Sequence, residues 1–379
     1  MKVLQIINSL GPGGAEKLLT DFVPLLNSSE DIKTDILLLT DKNNVFYDSL
    51  AGNGVKIDIV KYNDRYALRN IFGVRRHIIN GGYQIVHAHL FPAQYWVALA
   101  KILLLGKSVR FITTEHSTHN RRRGKWYFRF IDKFMYAQYD CIISISEKTK
   151  ENLVNWIDPK HKRLDKHIVI ENGVDIAKIQ AAAPYNKHEL IDGVSEDTKL
   201  VCMVGRFSEQ KDQATLISAF SALPENLHLL LVGEGQLLKK NKQLAHDLNI
   251  ADRVHFLGFR EDVPRILKTM DVVVLSSHWE GFGLAAVEGM AAGKPVLASD
   301  VGGLREVVGE AGLLFRNVQE LADRINGLTK SKSYYEDKAR ACKQRAEKYS
   351  HITMTTLLRD LYFAAEERIR LSKGESNAG

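Results

Sequence analysis

Three cysteines in 379 residues, Cys141, Cys202 and Cys342, fall at no regular spacing and form no C-x-x-C. A disulfide framework or a structural zinc site needs paired or clustered thiols, so neither is expected, and the pattern suits a reducing compartment. Long apolar runs are missing too. No stretch approaches the roughly 18 uninterrupted apolar residues that a membrane-spanning helix requires. The opening MKVLQIINSL runs straight into a β-like segment without a charged n-region, an apolar h-region or a cleavage site, so no signal peptide is expected and the chain reads as cytoplasmic. Two glycine-rich turns fall short of the dinucleotide fingerprint. GPGGAEK (11–17) has Glu16 where G-x-G-x-x-G needs its third small residue, and GEGQLL (233–238) has Leu238 there.

Acidic residues are scarce in one half only. Residues 1–180 hold 26 Lys and Arg against 18 Asp and Glu, while residues 181–379 hold 26 against 27. The whole excess of positive charge therefore lies in the N-terminal half. It is densest in RRRGKWYFRFIDKFMYAQYD (121–140), a basic and aromatic segment of the kind that attracts nucleic acid or an anionic membrane surface. The alternative for this segment is an ordinary solvated helix with its aromatics turned to the core.

What the chain has in abundance is short β-branched runs alternating with helical patterns, the signature of βαβ units and parallel sheets. Strands are expected at KVLQIIN, KTDILLLT, KIDIV, QIVHAHL, RFITTEH, CIISIS and HIVIENGV in the first half. In the second half they are expected at KLVCMVG, LHLLLVG, VHFLGF, DVVVLSS, KPVLASD and GLLF. A looser patch near 175–198 separates the two series. The simplest reading is α/β: two doubly wound parallel-sheet domains, 1–180 and 181–350, followed by helices, the last within 351–379. Such sheets bind ligands beyond the carboxyl ends of their strands, and the loops there are rich in glycine and charge.

GPGGAEK follows the first strand and opens a helix, so Gly13 and Gly14 allow close backbone approach to an anion at a helix start. GRFSEQKD (205–212) puts Arg206 and Lys211 after the first strand of the second series, where a guanidinium and an ammonium suit a pyrophosphate. His87 and His89 lie two apart on one strand, but no carboxylate or cysteine joins them at ligand spacing, and no metal is expected. His87 reads as a half-buried structural residue, and His116 as a hydrogen-bonding partner for a polyhydroxylated ligand. In HWEGFGLAAVEGMAAGK (278–294), Glu280 sits in the loop after a buried strand and Glu288 just over one turn into a helix of small residues. The helix start favours a nearby anion. The amides of Phe282, Gly283 and Leu284 are expected to point to the ligand, and Glu288 to accept two sugar hydroxyls.

E-x7-E as EGFGLAAVE, together with GRFSEQKD, ENGVD, GGAE and VGGLRE, resembles the retaining glycosyltransferases of family GT4 over nearly the whole chain. The resemblance implies a GT-B fold: two facing Rossmann-like doubly wound parallel-sheet domains with a cleft between them. The N-terminal domain would bind the acceptor and the C-terminal domain a nucleotide-sugar donor, with the last helix returning to the N-terminal domain. On the same ground Arg206 and Lys211 hold the diphosphate and Glu288 the ribose. Glu280 and the amides of 282–284 hold the donor sugar, Gly13 and Gly14 approach the phosphate, and His116 stands beside the sugar. The loop around Arg260 reads the base through its main chain. UDP is the base expected from its frequency in the family.

No D-x-D occurs anywhere in the chain. The metal clamp of the other major glycosyltransferase fold is therefore missing, and the resemblance implies no cofactor and no divalent metal. It implies as partners a nucleotide sugar and a glycan or lipid-linked acceptor; the basic, aromatic character of 121–140 adds the expectation of an anionic membrane surface on the inner face of the cell membrane, and no nucleic acid is expected. A sugar-nucleotide epimerase of similar fold, a transferase to a soluble small acceptor, and a sugar-binding module without turnover are the competing readings.

Overall fold

The computed structural model describes residues 1–104, 108–160, 164–195 and 197–372. The chain divides into two compact units, Met1–Gly173 with His351–Gly379, and Val174–Ser350. The division falls a few residues before the boundary suggested by the sequence. The helix Ile176–Ala181 packs on the helices Val263–Thr269 and Leu284–Ala291 of the second unit, and Val174 donates its N–H to Tyr349 O at 2.9 Å.

In the first unit seven strands run in chain order: β1 Lys2–Ile7, β2 Lys33–Leu38, β3 Ile57–Ile59, β4 Ile85–His89, β5 Arg110–Glu115, β6 Cys141–Ser144 and β7 His167–Val169. They pair in parallel in the order β3-β2-β1-β4-β5-β6-β7. β4, Ile-Val-His-Ala-His, is buried along its whole length, as expected of a strand covered on both faces by helices. The second unit holds β8 Lys199–Val204, β9 Leu227–Val232, β10 Val254–Gly258, β11 Val272–Leu275, β12 Val296–Ser299 and β13 Leu313–Phe315, all parallel in the order β10-β9-β8-β11-β12-β13. Each of the thirteen strands coincides with one of the β-branched runs. Both orders reverse direction beside their first strand, between β1 and β4 and between β8 and β11, and such switch points open a crevice at the carboxyl edge.

The helix His351–Ser372 belongs to the first unit. Tyr362, fully buried, accepts a hydrogen bond from Gln5 Nε2 of β1 at 3.0 Å, and its hydroxyl lies 2.7 Å from His87 Nδ1 of β4. Met354 Sδ accepts from the Gly173 N–H. The expected C-terminal segment continues to residue 379, and residues 373–379 lie outside the described residues. Among the described residues no helix is long and apolar enough to cross a membrane.

Candidate active site

In the second unit the site residues gather beyond β8 and β11, the two strands that flank the switch point. Lys211, on the loop after β8, meets Glu280, on the loop after β11, with Nζ 2.5 Å from Oε2. Both side chains are largely shielded. Ser277 adds a hydroxyl 3.3 Å from the same carboxylate oxygen. A cation and an anion held this close to an open strand edge give an incoming ligand both a phosphate partner and an acceptor of hydroxyl protons. Arg206 is exposed on the same loop.

Between these loops run backbone ties. Gln210 accepts from the His278 N–H at 2.9 Å, and its Nε2 donates to Trp279 O at 3.1 Å. Ser276 Oγ donates to Asp212 O at 2.7 Å. Asp212 takes a left-handed conformation, φ +48°, and caps the helix Gln213–Phe220 by accepting from the Thr215 N–H. A short polar side chain that hydrogen-bonds locally tolerates that backbone region better than most residues.

The helix Leu284–Ala291 opens at Gly283, φ +95°. Its first intrahelical bond runs from the Ala286 N–H to Gly283 O at 2.9 Å, so the amides just before it belong to the end of a helix that has no internal acceptor for them. The Phe282 ring is buried, edge-on to Tyr349 with centroids 5.3 Å apart. Glu288 is only 6% exposed. The small residues around it have a measurable purpose, since a Cβ on Gly289 would sit 2.9 Å from a Val273 methyl, and only glycine lets this helix lie so close on β11. The Arg260 guanidinium is committed to Asp262, with Nε to Oδ1 at 2.7 Å and Nη2 to Oδ2 at 2.5 Å, and this pairing holds the Asp262 carboxyl well below the usual carboxylate range.

Three glycines that the motif reading passed over shape this site. Gly233 (φ +137°) and Gly235 (φ +157°) lie against the Arg206 loop, where an added Cβ would stand 2.3 Å from Gly205 O and from Phe207 O respectively. The N–H of Phe207 donates to Glu234 O at 2.9 Å. GEG, which fails as a dinucleotide fingerprint, thus supports the loop that carries Arg206. Gly303 of VGGLRE does the same for Glu280: its added Cβ would lie 2.3 Å from Glu280 O and 2.8 Å from Gly281 O. Gly303→Ala is therefore expected to displace the Glu280 loop and to abolish detectable donor binding, while the far-UV circular dichroism of the unit is retained. Unchanged nucleotide affinity in this variant would show that the loop tolerates the displacement.

In the first unit Gly13 and Gly14 begin the helix Gly14–Asn27 after β1, with the Lys17 N–H donating to Gly13 O at 2.9 Å. A Cβ on Gly13 would stand 2.2 Å from Glu16 Oε2, so the side chain that breaks the dinucleotide pattern folds back over the glycine. His116 follows β5. Its Nε2 lies 3.0 Å from His89 Nδ1, and His89 Nε2 lies 2.8 Å from Gln5 Oε1. His87, expected to be half-buried, is fully buried because helix His351–Ser372 covers it. Its ring nitrogens meet Tyr362 Oη and Thr114 Oγ1, both at 2.7 Å. Burial lowers all three imidazoles: His87 to about 3, His116 to about 4, and His89 well below its ordinary value, with the neighbouring rings adding to the effect on His87 and His89. His116 is thus a neutral hydrogen-bonding group at physiological pH, oriented from behind by His89 and Gln5.

The segment 121–140 contains the helix Trp126–Ala137, whose inward face is Asp132 and Tyr136. Tyr136 apart, an aromatic stripe of this helix faces away from the core. Trp126, Phe130 and Phe134, one turn apart, are 76%, 65% and 52% exposed. Arg122 and Arg123 turn inward, to within 3.9 Å of Asp132 and 3.6 Å of Glu115; the side chain of Arg121 lies outside the described residues.

Residues 187–349 match the family described as Glycosyl transferases group 1, and residues 12–178 match Glycosyltransferase Family 4. An uncharacterized glycosyltransferase of Methanocaldococcus jannaschii, MJ1178, is 30% identical over 324 residues, 80% of this chain and 84% of its own length. The chain belongs to glycosyltransferase family 4. A second family member, the UDP-Gal:alpha-D-GlcNAc-diphosphoundecaprenol alpha-1,3-galactosyltransferase of Escherichia coli, is 31% identical over 245 residues, 58% of this chain and 59% of that protein. The chain spans about 60% of the length of other curated relatives that it matches. Among solved structures, Anabaena Alr3699/HepE in complex with UDP and glucose superposes with a TM-score of 0.84, covering 96% of this chain and all of the other at 23% identity, a likeness of fold. The two parallel-sheet units of the family 4 chain are those of the GT-B fold.

Proposed function

We propose that this protein is a retaining glycosyltransferase that moves a sugar from a nucleotide diphosphate sugar, with UDP as the nucleotide, to a hydroxyl of a lipid diphosphate-linked glycan in bacterial surface-polysaccharide assembly. The observation that carries the donor half is the Lys211–Glu280 pair at the β8 and β11 ends, beside the helix start at Gly283 and the exposed Arg206. Lys211 and Arg206 would neutralise the diphosphate, and the helix start adds partial positive charge. Glu280 would accept hydroxyl protons of the donor sugar, Glu288 would hold the ribose, and the loop around Arg260 would meet the base. The acceptor half rests on the basic aromatic helix and on the lipid diphosphate acceptor named for the E. coli relative.

In the reaction the acceptor oxygen bonds to the anomeric carbon as the bond from that carbon to the diphosphate oxygen breaks. The bonding electrons leave with the diphosphate, and a phosphate oxygen takes the acceptor's proton on the same face. Catalysis of this kind consists of positioning and charge stabilisation, and a protein nucleophile has no part in it. The cations already present supply the charge that a divalent ion would otherwise bring. UDP is therefore expected to raise the melting temperature to the same extent with and without EDTA, by an amount corresponding to about 2.7 kcal/mol at a hundredfold excess over Kd. A shift with GDP or ADP alone would overturn the choice of base, and a shift that EDTA removes would overturn the metal-independent mechanism.

A further inference from the structure

In the first unit the helices Asn70–Gly81, Ala93–Ile102 and Trp126–Ala137 lie side by side, the middle one touching both neighbours, over one shared core. The third of these presents the aromatic stripe described above. The first, with the turn that precedes it, presents another: Leu68 and Phe72 are 69% and 62% exposed, and Tyr62 and Tyr66 stand beside them. The two stripes are joined. The Tyr66 ring lies 6.5 Å from the Phe91 ring, and the Arg122 guanidinium covers Phe91 at 3.9 Å just ahead of the third helix.

Cations are interleaved with the apolar groups in both places. Arg65 stacks over Tyr66 at 4.9 Å and Arg69 over Tyr62 at 5.8 Å, while Lys125 and Lys133 are exposed along the third helix. Beside the first stripe a groove of about 380 Å³ is lined by Ile59, Tyr62 and Phe72 together with Lys61, Arg76 and His77. Contiguous exposed apolar surface rimmed by charge marks an interaction site. Aromatic rings with guanidinium and ammonium groups at their edges match the boundary between acyl chains and phosphate headgroups.

We propose that residues 62–79 and the helix Trp126–Ala137 form one two-lobed surface that docks on an anionic lipid bilayer, the groove between Tyr62, Phe72 and Arg76 receiving a lipid phosphate and its first acyl carbons. This deepens the membrane-side reading of the acceptor and assigns a role to 62–79, which no motif marked. A second copy of the chain is a poor occupant, because an isologous contact would set these cations against their own images.

The test is flotation of the full-length protein with phosphatidylcholine vesicles, with and without about 30% phosphatidylglycerol. The unaltered protein is expected to bind only the anionic vesicles and to detach as NaCl rises from about 50 to about 300 mM. Leu68→Ser/Phe72→Ser and Trp126→Ser/Phe130→Ser, all at exposed positions, are each expected to weaken partitioning about tenfold or more, with the combined variant close to the vesicle-free baseline. Loss of binding in the second pair but not the first would overturn the role of 62–79. Binding that ignores lipid charge and salt would overturn the anionic surface. Absence of vesicle binding, whether the protein self-associates or binds nucleic acid instead, would overturn the dock altogether. UDP-dependent thermal shifts, measured on the same variants, report separately on the donor site: their absence in every protein would count against the transferase reading and leave the vesicle result standing.

Discussion

Lys211→Ala is expected to lower kcat about 10²- to 10³-fold, roughly 2.7–4 kcal/mol of transition-state stabilisation, while KM for the donor changes far less. The reason lies in where charge develops. In the ground state the donor's diphosphate already carries negative charge that water or Arg206 can balance. As the glycosidic bond breaks, a further charge accumulates on the leaving oxygen, and a preorganised ammonium acts on that increment. Lys211 is preorganised by Glu280 at 2.5 Å. Removing it has a second consequence, because the Glu280 carboxylate loses its cation. Lys211→Ala/Glu280→Gln separates the two effects. Partial recovery of kcat in the double variant assigns part of the loss to the released carboxylate; no recovery assigns it to the missing ammonium or to the lost hydroxyl acceptor. Near-normal turnover of Lys211→Ala would remove the lysine from the mechanism. Arg206→Ala, on an exposed side chain that solvent screens more strongly, is expected to fall at or below the lower end of the same range.

The positions of the candidate residues were legible because the signals that mark them are local. Each strand is a short β-branched run, and Arg206, Lys211 and Glu280 lie in the loops that follow strand ends, with Glu288 in the helix after the second loop, so their positions could be read without a fold. Gly283, at φ +95°, sits where a loop must turn into a helix, another local signal. What escaped was set by contacts between distant parts of the chain. Gly233, Gly235 and Gly303 are small because a backbone from another loop passes within van der Waals distance, and nothing in GEG or VGGL says which loop that is. The burial of His87 depends on Tyr362, 275 residues away in sequence, and the same hydroxyl accepts from Gln5 across 357 residues. The helix Trp126–Ala137 has a periodicity compatible with either face turned inward. Asp132 decides it: Trp156 Nε1 donates to its carboxylate at 2.8 Å and the Tyr95 hydroxyl donates to it as well, which draws the Asp132–Tyr136 face in and leaves Trp126, Phe130 and Phe134 outside.

Acid is expected to open the first unit before the second. His87 and His89 are buried in the folded unit with both ring nitrogens engaged, and His116 is partly buried with its Nε2 against His89. Desolvation holds His87 at about 3, His116 at about 4 and His89 well below its ordinary value, against about 6.5 when unfolded. The unfolded chain therefore binds more protons than the folded one between about pH 6.5 and 4, and stability must fall as pH falls through that window. The loss grows as pH falls through that window, and it is drawn from a total stability of only about 5–15 kcal/mol. Coupling between the rings leaves the sign intact, since each charged neighbour lowers the others further. The second unit carries one lowered pair, His228 and His255, which is less deeply buried, and is expected to lose less. Hydrogen exchange followed by mass spectrometry at pH 7.5 and pH 5 distinguishes the units. Protection of β1, β4 and β5 should collapse at the lower pH while β8, β9 and β11 retain most of theirs. Equal losses in the two units would mean that the imidazole cluster does not govern acid stability. Equal protection at both values would mean that Gln5, Tyr362 and Thr114 stabilise the charged rings as well as the neutral ones.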